Sequence, residues 1–325
     1  MTSDLAADLG ASVSRRWQGL DPLLPAPTAP RACCDAGLLV VSGPGGHPVA
    51  AGGCEHWDGQ PGSLDLSWGA ARQFKLTAQV AGPDVAAGLD VAAGLDGLLT
   101  AWRGHLAGQP GAGGDDTAAV VMWPSRDVDG IRVLRRRGLT AMSVVAARPR
   151  GRPLSPGAAA GPGLRIRRAG PADLDVVTRL GLGVIQFDGR LGCVTERADS
   201  AEALRRELEA PLAGPQPWTW LAEQDGAPVG MLYAQRPADT GWIAPLVGPA
   251  PVAYLMLMYV RPGVRGSGVG TALTARLHAE ADAAGVAVTL LHYEQANPLS
   301  VPFWSQMGYR PAWTSWEAWP ATALR

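Results

Sequence analysis

"VRPGVRGSGVGTAL", residues 260–273, decides how this chain is read. Four glycines, Gly263, Gly266, Gly268 and Gly270, fall within eight residues. The apolar run "VAYLMLMYV" precedes them and the helix-like run "TALTARLHAEADAAG" overlaps and follows. Glycine at that density lets the backbone itself come close to a partner. A strand, a glycine loop and a helix in that order aim backbone amides and the positive end of a helix dipole at an anion. Arg265 adds positive charge to the same loop.

Three phosphate-binding designs share that outline. A P-loop needs Gly-Lys-Ser/Thr, because its lysine reaches the terminal phosphates. Lys75 is the only lysine of this chain, so that design fails. A dinucleotide fold places its glycines in the first strand-to-helix turn, and here Glu294 stands where a ribose-binding acid belongs. Only about thirty residues follow Glu294, too few for the rest of a doubly wound sheet. The third design is the pyrophosphate loop of acetyl-CoA enzymes, Arg/Gln-x-x-Gly-x-Gly/Ala. "RGSGVG" matches it with Arg265, Gly268 and Gly270.

Working outward, "LRIRRAGPADLDVVTRLGLGVI" reads as a strand, a turn and an amphipathic helix with Asp173 near its start. "WTWLAEQDGAPVGMLYAQRP" reads as a hairpin turning at Asp-Gly. "VAYLMLMYV" and "GVAVTLLHY" are buried strands, "NPLSVPFWSQMG" a short helix and "YRPAWTSWEAWP" a final strand. The expected order is β-α-β-β-β-loop-α-β-α-β. "ARPRGRPLSPGAAAGPG", residues 147–163, lacks an apolar period, and its Pro, Gly and Ala mark a linker. The division is therefore 1–150, a linker at 151–163, and 164–325. The first half echoes the end of the second: Asp127 lies eleven residues before Gly138, and Asn297 eleven before Gly308. This spacing predicts a tandem duplication.

The order and spacing of these motifs over residues 164–320 resemble the GNAT superfamily of acyl-CoA-dependent N-acetyltransferases, and in detail its two-domain actinobacterial members. The resemblance implies an α/β fold of tandem GNAT-like units, with a mixed central sheet flanked by helices and a degenerate first copy. It implies acetyl-CoA as the cofactor and no metal. Arg265, Gly266, Ser267, Gly268, Val269, Gly270 and Thr271 would cradle the pyrophosphate. The backbone of Met258, Tyr259 and Val260 would bond the pantetheine arm, with Asn297 and Trp304 beside it. Trp304 stands where many family members carry a tyrosine that protonates the departing thiolate. Leu134 takes that place in the first half. Tyr254 stands where some members carry a glutamate base. His292, Tyr293 and Tyr254 are the remaining candidates for proton transfer, His292 having the most suitable unperturbed pKa. Phe187 and Asp188 lie in the segment expected to wall the acceptor site. "KLTAQVAGPDVAAGL" of the first half lacks the Arg-x-x-Gly-x-Gly loop, so one cofactor site per chain is expected. The alternative is an acyl-CoA-binding or regulatory protein without catalysis.

Composition agrees with a compact cytoplasmic protein. The chain has 325 residues, 47% of them hydrophobic, with 28 basic residues against 29 acidic ones. No basic block points to nucleic acid. The longest apolar run is about nine residues, far from the ~20 of a membrane span. No signal-peptide core opens the chain. Cys33, Cys34, Cys54 and His56 match no standard zinc spacing. Seven tryptophans follow residue 217, and they line either a large cleft or the core. The acceptor implied by the resemblance is a small-molecule or peptide amine, and the protein a monomer or homodimer.

Overall fold

The computed structural model describes residues 3–30, 37–43, 46–82, 90–153, 161–192 and 194–325. In chain order its elements are α1 (Ser3–Leu20), β1 (Leu38–Ser42), β2 (Pro48–Asp58), β3 (Arg72–Val80), α2 (Val91–Ala107), β4 (Thr117–Pro124), α3 (Val128–Arg136) and β5 (Thr140–Pro149). The second half continues with β6 (Leu164–Arg168), α4 (Leu174–Gly189), α5 (Ser200–Ala213), β7 (Thr219–Gln224), β8 (Ala227–Gln235) and β9 (Val252–Val260). It ends with α6 (Val269–Ala283), β10 (Val288–Glu294), α7 (Ser300–Gln306) and β11 (Arg310–Ala318).

Local chemistry accounts for most of these boundaries. Asp225 and Gly226 turn the β7–β8 hairpin with φ of 52° and 81°, the left-handed pair that a two-residue turn needs. The Asp173 carboxylate accepts from the Gly170 amide at 2.9 Å and closes the entrance to α4. One element departs from the expected order: α5 is a second helix between α4 and β7. Its buried Ala203, Leu204, Leu208 and Leu212 keep a helical period, but Pro211 near its end and many charged residues mask it in the sequence.

The eleven strands form one mixed sheet, ordered β1-β2-β3-β4-β11-β5-β10-β9-β8-β7-β6. The β3–β4 and β9–β10 pairs are parallel and the other pairs antiparallel. The order shows an exchange. β5, the last strand of the first half, pairs with β10 of the second, and β11 pairs with β4 of the first. Each half thus completes the sheet of the other, so neither 1–150 nor 164–325 closes its sheet alone. The connection at 151–163 joins β5 to β6, and its residues 154–160 lie outside the described residues.

The run β-β-β-α-β-α-β occurs twice, over β1–β5 and over β7–β11. The echo in the sequence is an echo in structure. Gly138 and Gly308 both take left-handed φ, 85° and 84°. Leu139 donates to the Leu134 carbonyl at 3.1 Å, and Tyr309 to the Trp304 carbonyl at 3.0 Å. Asp127 and Asn297 both cap the short helix that follows them.

α6 and α7 cover one face of the second half around Leu273, Leu277 and Met307. α4 and α5 cover the other face, and Leu64 and Trp68 of the first half pack into that layer. Of the seven late tryptophans, Trp218, Trp220, Trp313 and Trp316 are core residues, Trp319 is partly buried, and Trp242 is exposed. Only Trp304 faces the cavity described below. Packing rather than a tryptophan-lined cleft therefore explains the run. Cys33 and Cys34 lie outside the described residues, and Cys54 is buried. Among the described residues, no helix is long and apolar enough to cross a membrane.

Candidate functional site

β9 and β10 pair only through Val252–Leu255 and Val288–Leu291. Beyond that point β9 continues along β8 with no partner on its other side. A bulge lies at this point. Tyr233 pairs with Leu257 and Ala234 with Leu255, leaving Met256 as the extra residue. An extra residue bends and twists the strand that carries it. The split opens into a cavity of about 380 Å³. At one end of that cavity β9 passes through a short turn (Pro262–Val264) into the glycine loop. Gly266 and Gly268 have φ of 83° and 87°, and Gly268 is the N-cap of α6. The first amides of α6 have no helical carbonyl behind them, so they are donors for an anion. A Cβ on Gly270 would come within 3.2 Å of the Phe303 ring, so α6 and α7 meet closely here.

The cavity gathers most of the residues expected from the sequence. Met258 and Val260 of β9, Arg265, Gly266, Gly268, Gly270 and Thr271 of the loop, and Asn297 and Trp304 beyond β10 lie on its wall. So do Phe187 and Asp188 of α4 and His292 and Tyr293 of β10. Four expected residues stand off the wall. Val269 is buried in the core. Ser267 turns its hydroxyl back to the Val264 carbonyl at 2.7 Å. The Tyr259 ring lies under the Arg265 guanidinium, and Tyr254 stands behind His292. Sequence reasoning missed Met256 and Leu299, also on the wall. A bulge leaves no local signal in a uniformly apolar strand.

The polar groups are held by specific partners. The Arg265 Nε–H donates to the Val260 carbonyl at 3.0 Å, and its guanidinium sits 5.0 Å from the Phe187 ring centroid. Asn297 accepts from the Leu299 and Ser300 amides and donates Nδ2–H to Asp188 at 2.7 Å. This bond ties α4 to the β10–α7 connection across the cavity. Burial pushes the Asp188 carboxyl up to about 6, against the smaller opposing effect of the Asn297 bond. His292 and Tyr293 are neighbours on a strand and so face opposite ways. Tyr293 belongs to the α6–α7 layer. His292 faces Tyr254, whose hydroxyl lies 2.8 Å from Nδ1. Burial lowers His292 to about 4 and raises the Tyr254 phenol, so both are uncharged at neutral pH. The direction of that bond sets the tautomer: a donating phenol leaves the ring hydrogen on Nε2, and an accepting one keeps it on Nδ1. Trp304 is buried, edge-on to Phe303 and Tyr309 with ring centroids 4.8 Å and 5.4 Å away.

Residues 192–309 match the model of the Acetyltransferase (GNAT) family. The chain carries a GNAT acetyltransferase domain. Its fold resembles that of a GCN5-related N-acetyltransferase from Sphaerobacter thermophilus, with 14% identity over 98% of this chain and 93% of that one and a TM-score of 0.57. A GCN5-related N-acetyltransferase from Ralstonia eutropha JMP134 is 26% identical over 46% of this chain and 94% of its own, with a TM-score of 0.35. A tandem GNAT protein from the clavulanic acid biosynthesis pathway is 15% identical over 97% of each chain, with a TM-score of 0.43. No curated protein matches the chain by sequence.

The first half repeats the strand split without the cavity's contents. β3 and β4 pair only through Arg72–Leu76 and Thr117–Val121, and β3 runs on to Val80. Val80 occupies the place that Val260 holds in β9. Its carbonyl accepts from Arg16 of α1 at 3.4 Å. The same guanidinium forms an ion pair with Asp127, the counterpart of Asn297, and lies 5.5 Å from the Trp123 ring centroid. Both partners of the ion pair are nearly fully buried. An arginine of α1 thus fills the split. Residues 83–89, where a loop like Arg265–Gly270 would fall, lie outside the described residues.

Proposed function

We propose that the chain moves an acetyl group from acetyl-CoA to a primary amine of a small molecule or peptide. The amine attacks directly in a ternary complex, at one site in the second half. The observation that carries this reading is that the strand split, the glycine loop and the cavity form one continuous surface. The backbone of Met258–Val260, paired with β8 on one side and left by β10 on the other, suits the amides of a pantetheine arm. The amides from Gly266 to Thr271, with Arg265, suit a pyrophosphate. Asn297 would lie beside the arm. Acetyl-CoA supplies a thioester already activated toward amines, so the chain's own work is placement and proton transfer.

Asp188 takes the proton of the amine, directly or through one water. A carboxyl of about 6 is mostly ionised at neutral pH yet still holds a proton better than an ordinary aspartate. Tyr254 fixes the ring of His292 on the cavity wall. Amides on the unpaired part of β9 are donors for the developing oxyanion. The first half contributes a wall through Leu64 and Trp68 and no second cofactor site, because Arg16 fills its split.

Calorimetric titration of acetyl-CoA tests this reading, with Arg265→Glu as control. One cofactor per chain, lost in the variant, is expected, followed by thiol release with a panel of amines. Absence of binding at millimolar cofactor would refute it. One observation favours the alternative of a non-catalytic acyl-CoA binder: Trp304 replaces the tyrosine acid, and an indole N–H donates a hydrogen bond without releasing its proton. That alternative predicts binding with no thiol release for any amine.

A further inference from the structure

The connection from α4 to α5 leads away from the cavity and onto the first half. α4 ends with Phe187 and Asp188, both on the cavity wall. Arg197, nine residues after Asp188, crosses to the first half. Its Nη1–H and Nη2–H donate to the two carboxylate oxygens of Asp116 at 2.7 Å and 3.2 Å. Its Nε–H donates to the Leu66 carbonyl at 3.1 Å, and Nη2–H also to the Gly69 carbonyl at 3.4 Å. Asp116 precedes β4 and accepts from the Ala71 amide at 2.9 Å as well. The Arg197 guanidinium holds the Asp116 carboxyl below the usual carboxylate range, so it is ionised at neutral pH. A single exposed ion pair is worth little, but a forked pair backed by two carbonyls fixes direction as well as distance.

Neighbours of Arg197 are tied across the halves too. The Thr195 amide donates to the Ser67 carbonyl at 2.9 Å. The hydroxyls of Ser67 and Ser200, both buried, lie 2.9 Å apart, and Ser200 Oγ accepts from the Arg197 amide at 2.8 Å. Toward α4 the same connection packs closely. A Cβ on Gly189 would stand 3.5 Å from the Val194 carbonyl oxygen and 3.9 Å from the Glu196 amide nitrogen. Gln186 of α4 donates Nε2–H to Glu196 at 3.0 Å. Residues 194–196 therefore lie directly against the last turn of α4. Asp188 in that turn stands between two anchors, Asn297 across the cavity and the Arg197 seat behind. The glycine loop, by contrast, is held within the second half. Arg265 donates to the Val260 carbonyl, Ser267 to that of Val264, and the Arg261 amide to that of Val229.

We infer that Arg197 is a positioning residue for the acceptor side of the cavity: seated on Asp116, Leu66 and Gly69, it holds the last turn of α4 so that Asp188 meets Asn297. The first half then acts on the acceptor wall and leaves the cofactor cradle alone. The inference rests on the acyl-transfer reading above and names what keeps that site in register.

The test compares the ¹⁵N-labelled full chain with Arg197→Gln and Asp116→Asn. The second variant keeps an oxygen for the Ala71 amide, and it carries the test should the first fail to fold. The side-chain amide of Asn297, assigned by its loss in Asn297→Asp, reports the bond to Asp188. Its exchange with water should be about tenfold faster in Arg197→Gln, with a smaller increase in Asp116→Asn. Acetyl-CoA affinity by calorimetry should stay within about twofold in both. With the primary amine that the unmodified chain acetylates fastest, kcat/KM should fall about tenfold in Arg197→Gln. Unchanged Asn297 exchange in both variants, or acetyl-CoA affinity falling in step with it, would overturn the inference. Failure of the unmodified chain to bind acetyl-CoA, or to release thiol with any amine, would instead overturn the acyl-transfer reading. The exchange measurement reads the positioning in either case.

Discussion

Asp188→Asn separates what the cavity does for stability from what it does for chemistry. Burial raises the Asp188 carboxyl from 3.8 to about 6. The folded chain therefore binds this proton more tightly than the unfolded chain does. Wild-type stability falls as pH rises from about 4 through about 6, and the full penalty applies above that window. A shift of about two pH units is worth about 3 kcal/mol as an upper value. Asparagine is nearly isosteric, keeps an oxygen that accepts from Asn297, and carries no charge to bury. The variant should match wild type near pH 4 and exceed it by up to about 3 kcal/mol at pH 7. Urea unfolding of both proteins at half-unit steps from pH 4 to 7.5 measures the difference directly. If Asp188 is the proton acceptor, kcat/KM of the variant falls by about a hundredfold. It also loses an acid limb near pH 6. A stability difference that does not change with pH, or a variant less stable at neutral pH, would refute the burial argument. An unchanged rate with the acid limb intact would refute the proton-transfer role.

Arg265→Glu places a carboxylate where a phosphate is to bind, and calorimetry should show acetyl-CoA affinity reduced at least about tenfold. Gly268→Ala forces a side chain onto a φ of 87°, costing about 1–2 kcal/mol in urea unfolding and weakening acetyl-CoA. Arg16→Ala leaves the buried Asp127 carboxylate without its cation, so thermal and urea unfolding should report a loss of about 3–5 kcal/mol. Cofactor stoichiometry should remain one per chain. His292 and His278 are lowered by burial to about 4 and about 3. Their folded pKa values lie below the unfolded one, so stability should decline as pH falls from about 6.5 toward those values, and His278→Asn should flatten part of that decline.

Much of the site was legible because its signals are local. Gly268 must adopt a left-handed φ at a helix start, Asp225-Gly226 must turn a hairpin, and Gly308 must end a short helix. Each requirement is met within a few residues, so the sequence by itself determined the strand, loop and helix that make the candidate cofactor cradle. The same holds for the repeat, since Asp127 and Asn297 cap equivalent helices at equal distances from Gly138 and Gly308. α5 escaped because Pro211 and its many charged residues obscure its apolar stripe.

What only the tertiary structure decided lies farther apart in the chain. β5 and β11 are both strands that are buried over most of their length and would satisfy either neighbour, and periodicity carries no mark of which sheet each completes. The exchange depends on pairing across more than a hundred residues, between β5 and β10 and between β11 and β4. The Met256 bulge depends on β8 being one residue short opposite it. Arg16 reaches Asp127 over 111 positions, and Asp188 reaches Asn297 over 109. Burial then sets the charge state of Asp188 and His292, and burial is a property of the packed layers. Local sequence determined which backbone can meet a phosphate; packing decided which split stays open, which is filled, and which carboxyl is pushed up toward neutrality.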